Sequence, residues 1–269
     1  MFLFRADVDG VVVQDFILFV LVGFAAQLVD GALGMGYGVV CSAVLLSLGV
    51  PPATASASVH ASKIFTGAAS AASHVRFGNI DRKALAPLAL GGALGAVIGV
   101  TILTGFKGSA IKPVVLVWLA LMGGFILWRA AKGTPPRISR IRMPGPLGVL
   151  GGFLDAIGGG GWGPTVTTTL VGTGVPPRQA VGTCNTAEFF VAIAASTAFF
   201  AASVTGHWKD AQRPYEHGAA VAGLVVGGLL AAPLAGYVTK RLPTRRLTWL
   251  VGFLVIGLVI YQAWPMIFK

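Results

Sequence analysis

Long apolar runs separated by short polar segments dominate this chain. The most uniform runs cover residues 84–106, 218–239 and 247–268, and shorter or more polar runs cover residues 53–75, 113–128 and 179–206. About 18 consecutive apolar residues are enough for a helix to cross the roughly 30 Å of hydrocarbon in a bilayer. Glycine and proline inside such helices are tolerated, because neighbouring helices satisfy the freed backbone groups. The pattern predicts an all-α polytopic membrane protein.

Composition supports this prediction. Of the 269 residues, 55% are hydrophobic and only 11% are charged, whereas soluble domains carry about 25% charged residues. A net charge of +11 would indicate a nucleic-acid partner in a soluble protein. Here the basic residues lie mostly in short loops between apolar runs, as topology signals do. The expected partner is the lipid bilayer, and no nucleic-acid partner is expected.

The chain contains an internal repeat. A shift of 125 residues aligns 30–65 with 155–190, so that "DGALGMGYG" falls on "DAIGGGGWG" and one "GVPP" falls on another. Tyr37 then aligns with Trp162, and after a short insertion the pair Gly91-Gly92 aligns with Gly227-Gly228. We predict a first membrane repeat at 11–131, a basic cytoplasmic linker at 132–145 and a second membrane repeat at 146–268.

Each half has the same content, a glycine-broken helical hairpin followed by three transmembrane helices. A returning hairpin plus three crossings makes an odd number, so the second repeat should enter the membrane inverted. Cytoplasmic loops are rich in Lys and Arg, and this topology puts 13 of the 20 Lys and Arg residues on one side. They are Arg76, Arg82, Lys83, Arg129, Lys132, Arg137, Arg140, Arg142, Arg178, Lys240, Arg241, Arg245 and Arg246.

The glycines have two expected roles. Gly91, Gly95 and Gly99 recur at a spacing of four, which favours close helix packing. The run at 158–161 should instead break its helix, because each glycine costs about 1 kcal/mol relative to alanine. We expect Gly34, Gly36, Gly159 and Gly161 to form the hairpin backbone. The second hairpin is too short for two spans, so re-entrant hairpins that meet near the bilayer centre are expected.

Three acidic residues, Asp30, Asp155 and Glu188, lie in otherwise apolar sequence. Charges at such positions are costly, and they are functional candidates by default. Asp30 and Asp155 each precede a glycine-rich break, where a carboxylate can accept freed backbone N–H groups. Local capping and a direct role in substrate or proton handling are both open for them, and the three are assigned as coupling or structural charges.

Lys63 and Glu188 occupy equivalent positions of the two repeats, about ten residues into their helices. Residues three and four apart share a helix face, so Ser56, His60 and Lys63 lie together. Two interpretations are open: Lys63 pairs with Glu188 and holds the halves together, or Lys63 attracts an anionic substrate while Glu188 titrates. The second interpretation predicts substrate binding by Lys63, His60, Ser62, Asn185 and Thr186.

The chain also resembles a known family. The strings "GVPPATASASVHASKIFTGAASAASHVRFGNID" and "GVPPRQAVGTCNTAEFFVAIAAS", each after a glycine-rich hairpin, are similar to those of the TauE/SafE family of sulfite and organosulfonate exporters. The resemblance covers essentially the whole chain. It implies a secondary transporter that exports small anions such as sulfite, sulfoacetate or other organosulfonates across the inner (plasma) membrane, with proton coupling open.

Other functions remain alternatives or are disfavoured. An anion channel or a transporter of small carboxylates is the main alternative. An enzyme is not expected, because no G-x-S-x-G string is present. The sequence also has no G-x-x-x-x-G-K-[ST] phosphate-binding loop, so an ATPase is not expected either. Cys41 and Cys184 lie in apolar segments, so neither a disulfide nor a metal site is expected, and no cofactor is predicted. The start lacks a basic region and a cleavage site, so no removable signal peptide is expected. A homodimer is left open.

Overall fold

The structure is a computed structural model that describes residues 10–132, 144–209, 218–241 and 244–267. The described residues are helical apart from short connections. The elements are α1 (Gly10–Leu33), α2 (Tyr37–Ser47), α3 (Pro52–Arg76), α4 (Arg82–Gly105), α5 (Gly108–Lys132), α6 (Pro144–Gly158), a π-helical turn (Gly163–Thr167), α7 (Thr168–Gly172), α8 (Pro177–Val204), α9 (Gly218–Arg241) and α10 (Thr244–Ile267).

The prediction of an all-α membrane protein is confirmed for these residues. All six apolar runs are helices, and each begins or ends within a few residues of the predicted run, except that α5 extends beyond its run at both ends. Four helical segments are long and apolar enough to cross a bilayer: Arg82–Gly105, Gly108–Lys132, Arg178–Val204 and Thr248–Ile267. Shorter apolar helical segments include Phe16–Asp30 and Tyr37–Ser47.

The two halves of the chain have the same order of elements. Each begins with a helix that ends at a glycine-rich break, continues with a short helical segment, and adds three long helices. The backbone repeats as well. Gly34 and Gly159, which are 125 positions apart, both have φ +65°, while Gly49 and Gly174 have φ +88° and +90°. Residues other than glycine rarely adopt such φ angles, so glycine is needed at both breaks and at both turns before the proline pairs.

Glycines let helices from opposite halves approach closely. Helix α1 packs along α9, and α4 packs along α6. A Cβ added at Gly91, Gly95 or Gly99 would overlap backbone atoms of Gly145, Val149 and Phe153 respectively. The predicted packing role of these three glycines is therefore confirmed. On the other helix pair, a Cβ at Gly227 would overlap the Val20 carbonyl in the same manner.

The tips of the two hairpins are buried and touch each other. Residues 34–40 are all buried, and so are residues 158–162. The predicted break in the glycine run is confirmed, since α6 ends at Gly158 and no helical residue follows before Trp162. A Cβ at Gly160 would overlap backbone atoms of Gly38 and Val39 on the other hairpin. In the interior of the protein, two glycine-rich backbone segments therefore cross in direct contact, and this contact is called the hairpin crossing.

The predicted domain boundaries fall at helix ends. Helix α5 ends at Lys132 and α6 begins at Pro144, two residues before the predicted start of the second repeat. Most of the predicted basic linker, at 133–143, lies outside the described residues.

Candidate functional site

The hairpin crossing supports a cluster of buried charged side chains. Helices α3 and α8, which start after equivalent "GVPP" turns, pack against each other beside it. Proline at the first helical positions suits the start of a helix, because its missing N–H would have no partner there. Lys63 projects from α3 and Glu188 from α8, while Asp155 lies on the last turn of α6.

Lys63 binds two carboxylates. Its Nζ lies 2.8 Å from Glu188 Oε1 and 3.1 Å from both Asp155 oxygens. The contact with Glu188 is the pairing that the sequence left open as a structural link between the halves. The contact with Asp155 was not predicted. With only 7% of its side chain exposed, Lys63 holds three elements together through one ammonium group.

Asp155 is enclosed by donors. Its Oδ1 accepts the backbone N–H groups of Gly161 at 2.7 Å and Trp162 at 3.1 Å, which the break in the helix leaves without helical partners. Its Oδ2 lies 3.1 Å from Nε2 of His60. Asp155 therefore caps the second break, as one of its two expected roles requires, and it also binds the Lys63 ammonium.

His60 connects Asp155 to α3. Its Nδ1 lies 2.8 Å from the Ser56 carbonyl oxygen, and the Ser56 hydroxyl donates to the Ala156 carbonyl. Each ring nitrogen thus has an acceptor oxygen within hydrogen-bond distance. The ring is fully buried. His60 is therefore fixed between α3 and the Asp155 carboxylate.

Asp30 caps the first break in the same way but lacks a lysine partner. The Tyr37 backbone N–H donates to Asp30 Oδ1 at 3.2 Å, which matches the Trp162 to Asp155 bond at the equivalent position. The Tyr37 hydroxyl donates to Ser62 Oγ at 3.0 Å and lies 3.2 Å from the Leu224 carbonyl oxygen. Tyr37 thus links the first hairpin to α3 and α9.

A small cavity of about 20 Å³ adjoins the charged cluster. This volume holds roughly one water molecule. Eight of its ten lining residues have polar or charged side chains, and the ten come from four helices, namely α1, α2, α3 and α8. The residues are Gln27, Asp30, Tyr37, Lys63, Thr66, Gly67, Ser70, Asn185, Glu188 and Phe189.

The residues predicted to bind substrate separate into two groups. Lys63 and Asn185 line the cavity. The other three face helical or capping partners: His60 bonds Asp155, Ser62 donates to the Val59 carbonyl at 2.8 Å, and Thr186 donates to the Gly182 carbonyl at 2.7 Å. In this conformation only two of the five predicted residues can meet a small molecule in the cavity.

Sequence reasoning missed four polar cavity residues: Gln27, Tyr37, Thr66 and Ser70. A signal for three of them was available. Lys63, Thr66 and Ser70 follow the spacing of one helix face, which continues the face drawn for His60 and Lys63. Gln27 lies three residues before Asp30 on α1 and shares its face for the same reason.

The charge of the cluster is unfavourable for an anion as it stands. Three carboxylates, Asp30, Asp155 and Glu188, surround the single lysine. The carboxylates thus outnumber the lysine by two. An anion near Lys63 would have to displace a carboxylate or arrive with compensating positive charge.

Comparison with known proteins gives a consistent result. The sequence profile of the family described as "Sulfite exporter TauE/SafE" matches residues 19–262. The chain is 38% identical over 250 residues to "Probable membrane transporter protein YtnM" of Bacillus subtilis (strain 168), a match that covers 90% of this chain and 81% of that protein. No solved structure matches the chain significantly.

Proposed function

Because the chain belongs to the TauE/SafE family and is a multi-pass membrane transporter, we propose that it exports small sulfur-containing anions across the inner membrane. Sulfite, sulfoacetate and other organosulfonates are the proposed substrates. The observation that carries this proposal is the buried Lys63, which lies at the hairpin crossing and lines the cavity. Broken helices that meet in the interior are where secondary transporters bind substrates and coupling ions.

The substrate site lies between α3 and α8, with Lys63 as its cation and Asn185 as a neutral donor. A sulfonate loses water when it enters the protein, and an ammonium with amide and hydroxyl groups can replace the lost hydrogen bonds. His60, Ser62 and Thr186 belong to this site only in a conformation where α3 and α8 have moved. The cavity of about 20 Å³ holds about one water molecule, so in this proposal α3 and α8 separate before sulfite binds.

Proton coupling follows from the groups around Lys63. Glu188 is more accessible than Lys63 or Asp155, with 19% of its side chain exposed. His60 and Asp155 share a hydrogen bond that can store a proton. Protonation of either carboxylate would loosen its hold on Lys63 and free the ammonium for an anion.

The proposal includes inverted repeats. Asp155 contacts His60 and Lys63. The residues 125 positions away from these three, Asp30, Asn185 and Glu188, come together at the cavity. The aromatic residues after the breaks agree as well, since Trp162 lies against Gly92 and Tyr37 lies against Gly228. Such reciprocal contacts are expected from two copies related by a two-fold axis.

Cysteine labelling tests this topology. Single cysteines introduced as Arg140→Cys and Lys240→Cys should react with an impermeant maleimide from the cytoplasm, because the basic residues around both positions predict that side of the membrane. Lys107→Cys should react from the opposite side. Cys41 and Cys184 are fully buried, so the native thiols give a low background. Labelling of positions 140 and 240 from opposite sides would reject the inverted arrangement.

Reconstitution into liposomes tests the function. Uptake should be saturable for sulfite or an organosulfonate and should respond to an imposed pH gradient, with taurine, sulfate and short carboxylates as comparison substrates. Protein-free liposomes are the control. Saturable flux of carboxylates alone would identify the alternative cargo. Flux that neither saturates nor responds to a gradient would identify a channel.

A further inference from the structure

The cavity differs from the ion-paired half of the cluster in one respect. Asp155, His60 and Lys63 form a set with an ammonium between its members. The equivalent set, Asp30, Asn185 and Glu188, lines the cavity and has a carboxylate at the position of Lys63. Two carboxylates therefore face one space, where the other half of the protein has a carboxylate and a cation.

Gln27 is an independent sign of a ligand in this space. It lines the cavity and is only 7% exposed. Among the residues that the structure describes, its amide has no hydrogen-bond partner. Its amide atoms are not among the fully buried polar atoms that lack a partner, so they are open to the cavity. An amide on a side chain this buried normally has a partner, and an ion or molecule in the cavity would supply one.

The remaining lining offers oxygen atoms. Asn185 donates its Nδ2 to Ser70 Oγ at 3.2 Å, which leaves its amide oxygen available. The Thr66 hydroxyl donates to the Ser62 carbonyl at 3.4 Å, so its oxygen lone pairs are also available. Carboxylate, amide and hydroxyl oxygens are ligands for hard cations.

We propose that this cavity is a Na⁺ site, with Asp30 and Glu188 as the charged ligands and Gln27, Asn185, Thr66 and Ser70 as the neutral oxygen ligands. The inference rests on the proposed transport function, to which it adds Na⁺ as an ion bound beside the proton-binding groups. Na⁺ would neutralise part of the negative charge by which the three carboxylates exceed Lys63. It would thereby remove the charge barrier to an anionic substrate.

Other cations fit the cavity less well. Among the described residues there is no group of three or more His, Cys, Asp or Glu side chains that could hold a metal ion, so the ligand set is unsuited to zinc or iron. A proton bridging Asp30 and Glu188 would engage only carboxylate oxygens and would leave the Gln27 amide without a partner. A desolvated Na⁺ is similar in size to the single water molecule that the cavity can hold.

Glu188 provides the coupling. Its Oε1 binds Lys63 at 2.8 Å, and the same side chain lines the cavity. When Na⁺ draws Glu188 towards Asp30, Lys63 loses one of its two carboxylates and gains a free N–H donor for the anion. Na⁺ and the anion then bind with mutual enhancement, and linkage requires the effect to be the same in both directions.

Thermal unfolding of the purified full-length protein tests the Na⁺ site without measuring transport. NaCl should raise Tm by several degrees over choline chloride of equal ionic strength, and the shift should saturate with concentration. Gln27→Leu should weaken the apparent Na⁺ affinity at least about tenfold, because it removes a buried ligand to a charged group. Thr66→Val, which keeps the shape of the side chain, should weaken it as well.

Gln262→Leu is the matched control. Gln262 is buried to a similar extent on α10, and its amide donates to the Ala43 and Leu258 carbonyls away from the cavity. This variant should keep the Na⁺-dependent shift. Equal Tm values for the wild type in NaCl and choline chloride would overturn the Na⁺ site, and so would loss of the shift in Gln262→Leu but not in Gln27→Leu.

The two proposals can fail separately. Saturable anion flux that follows a pH gradient and ignores Na⁺ would overturn the Na⁺ site and leave the transport function standing. A saturable Na⁺ shift in a protein that moves none of the tested anions would support the site and reject the proposed function.

Discussion

Replacing Lys63 with methionine should abolish anion transport and lower the free energy of unfolding by about 3–5 kcal/mol. The large stability effect is expected because Asp155 is fully buried and Lys63 contacts both of its oxygens. Without the ammonium, a buried carboxylate retains only His60 and two backbone N–H groups. Flux into liposomes and thermal unfolding in detergent measure the two effects separately.

A second substitution separates stability from function. In the double variant Lys63→Met with Asp155→Asn, the unpaired buried charge is removed, so most of the stability should return. Transport should remain absent, since the lysine that binds the anionic substrate is still missing. Lys63→Arg should retain the charge but lose part of the transport rate, because a planar guanidinium cannot replace a compact ammonium. Normal transport by the double variant would contradict a substrate role for Lys63.

The charge swap Lys63→Glu with Glu188→Lys gives an independent answer. The new carboxylate at position 63 would face Asp155, which is an unfavourable like-charge contact. The new lysine at position 188 would face Asp30 across the cavity. We expect the swap to lose transport. Full recovery would mean that the Lys63–Glu188 pair only links the halves, as the first interpretation of the sequence held.

Much of the fold could be predicted from the sequence because two patterns are strong. Apolar length identifies helices, and the 125-residue register puts equivalent breaks, turns and helices in both halves. The packing of α1 on α9 and of α4 on α6 could not be predicted in this way. Nothing in the register of one half states which helix of the other half it meets, because that choice depends on shape and close backbone approach.

The site was predicted less completely for a related reason. The sequence identifies Lys63, Glu188 and Asp155 as costly charges, but it does not state their partners. Equivalence suggested that Asp30 and Asp155 have the same environment. They share the cap, yet only Asp155 meets Lys63, because the repeats have diverged at the position of Lys63 and Glu188. Divergence at this one position therefore gives the two capping carboxylates different partners.

Gly160→Ala should disrupt the hairpin crossing and abolish transport. A Cβ at Gly160 would overlap the Val39 nitrogen and the Gly38 carbonyl carbon. These are backbone atoms, which cannot move aside by a side-chain rotation. Overpacking a buried site typically costs about 1–3 kcal/mol, and the cost is higher where no side chain can move aside. Gly38→Ala should behave alike, since its Cβ would overlap Gly159 and Gly160. Thermal unfolding in detergent and flux into liposomes are the measurements.

Gly124→Ala is the matched control for this crossing. Gly124 lies within α5, and a Cβ there would meet no atom within 4 Å. Alanine should therefore leave stability unchanged or raise it by up to about 1 kcal/mol, the ordinary helix preference of alanine over glycine. If Gly160→Ala and Gly124→Ala unfold at the same temperature and transport equally well, the hairpin backbones do not cross as closely as described. A selective loss in Gly160→Ala would show that transport depends on two bare backbones in contact beside the charged cluster.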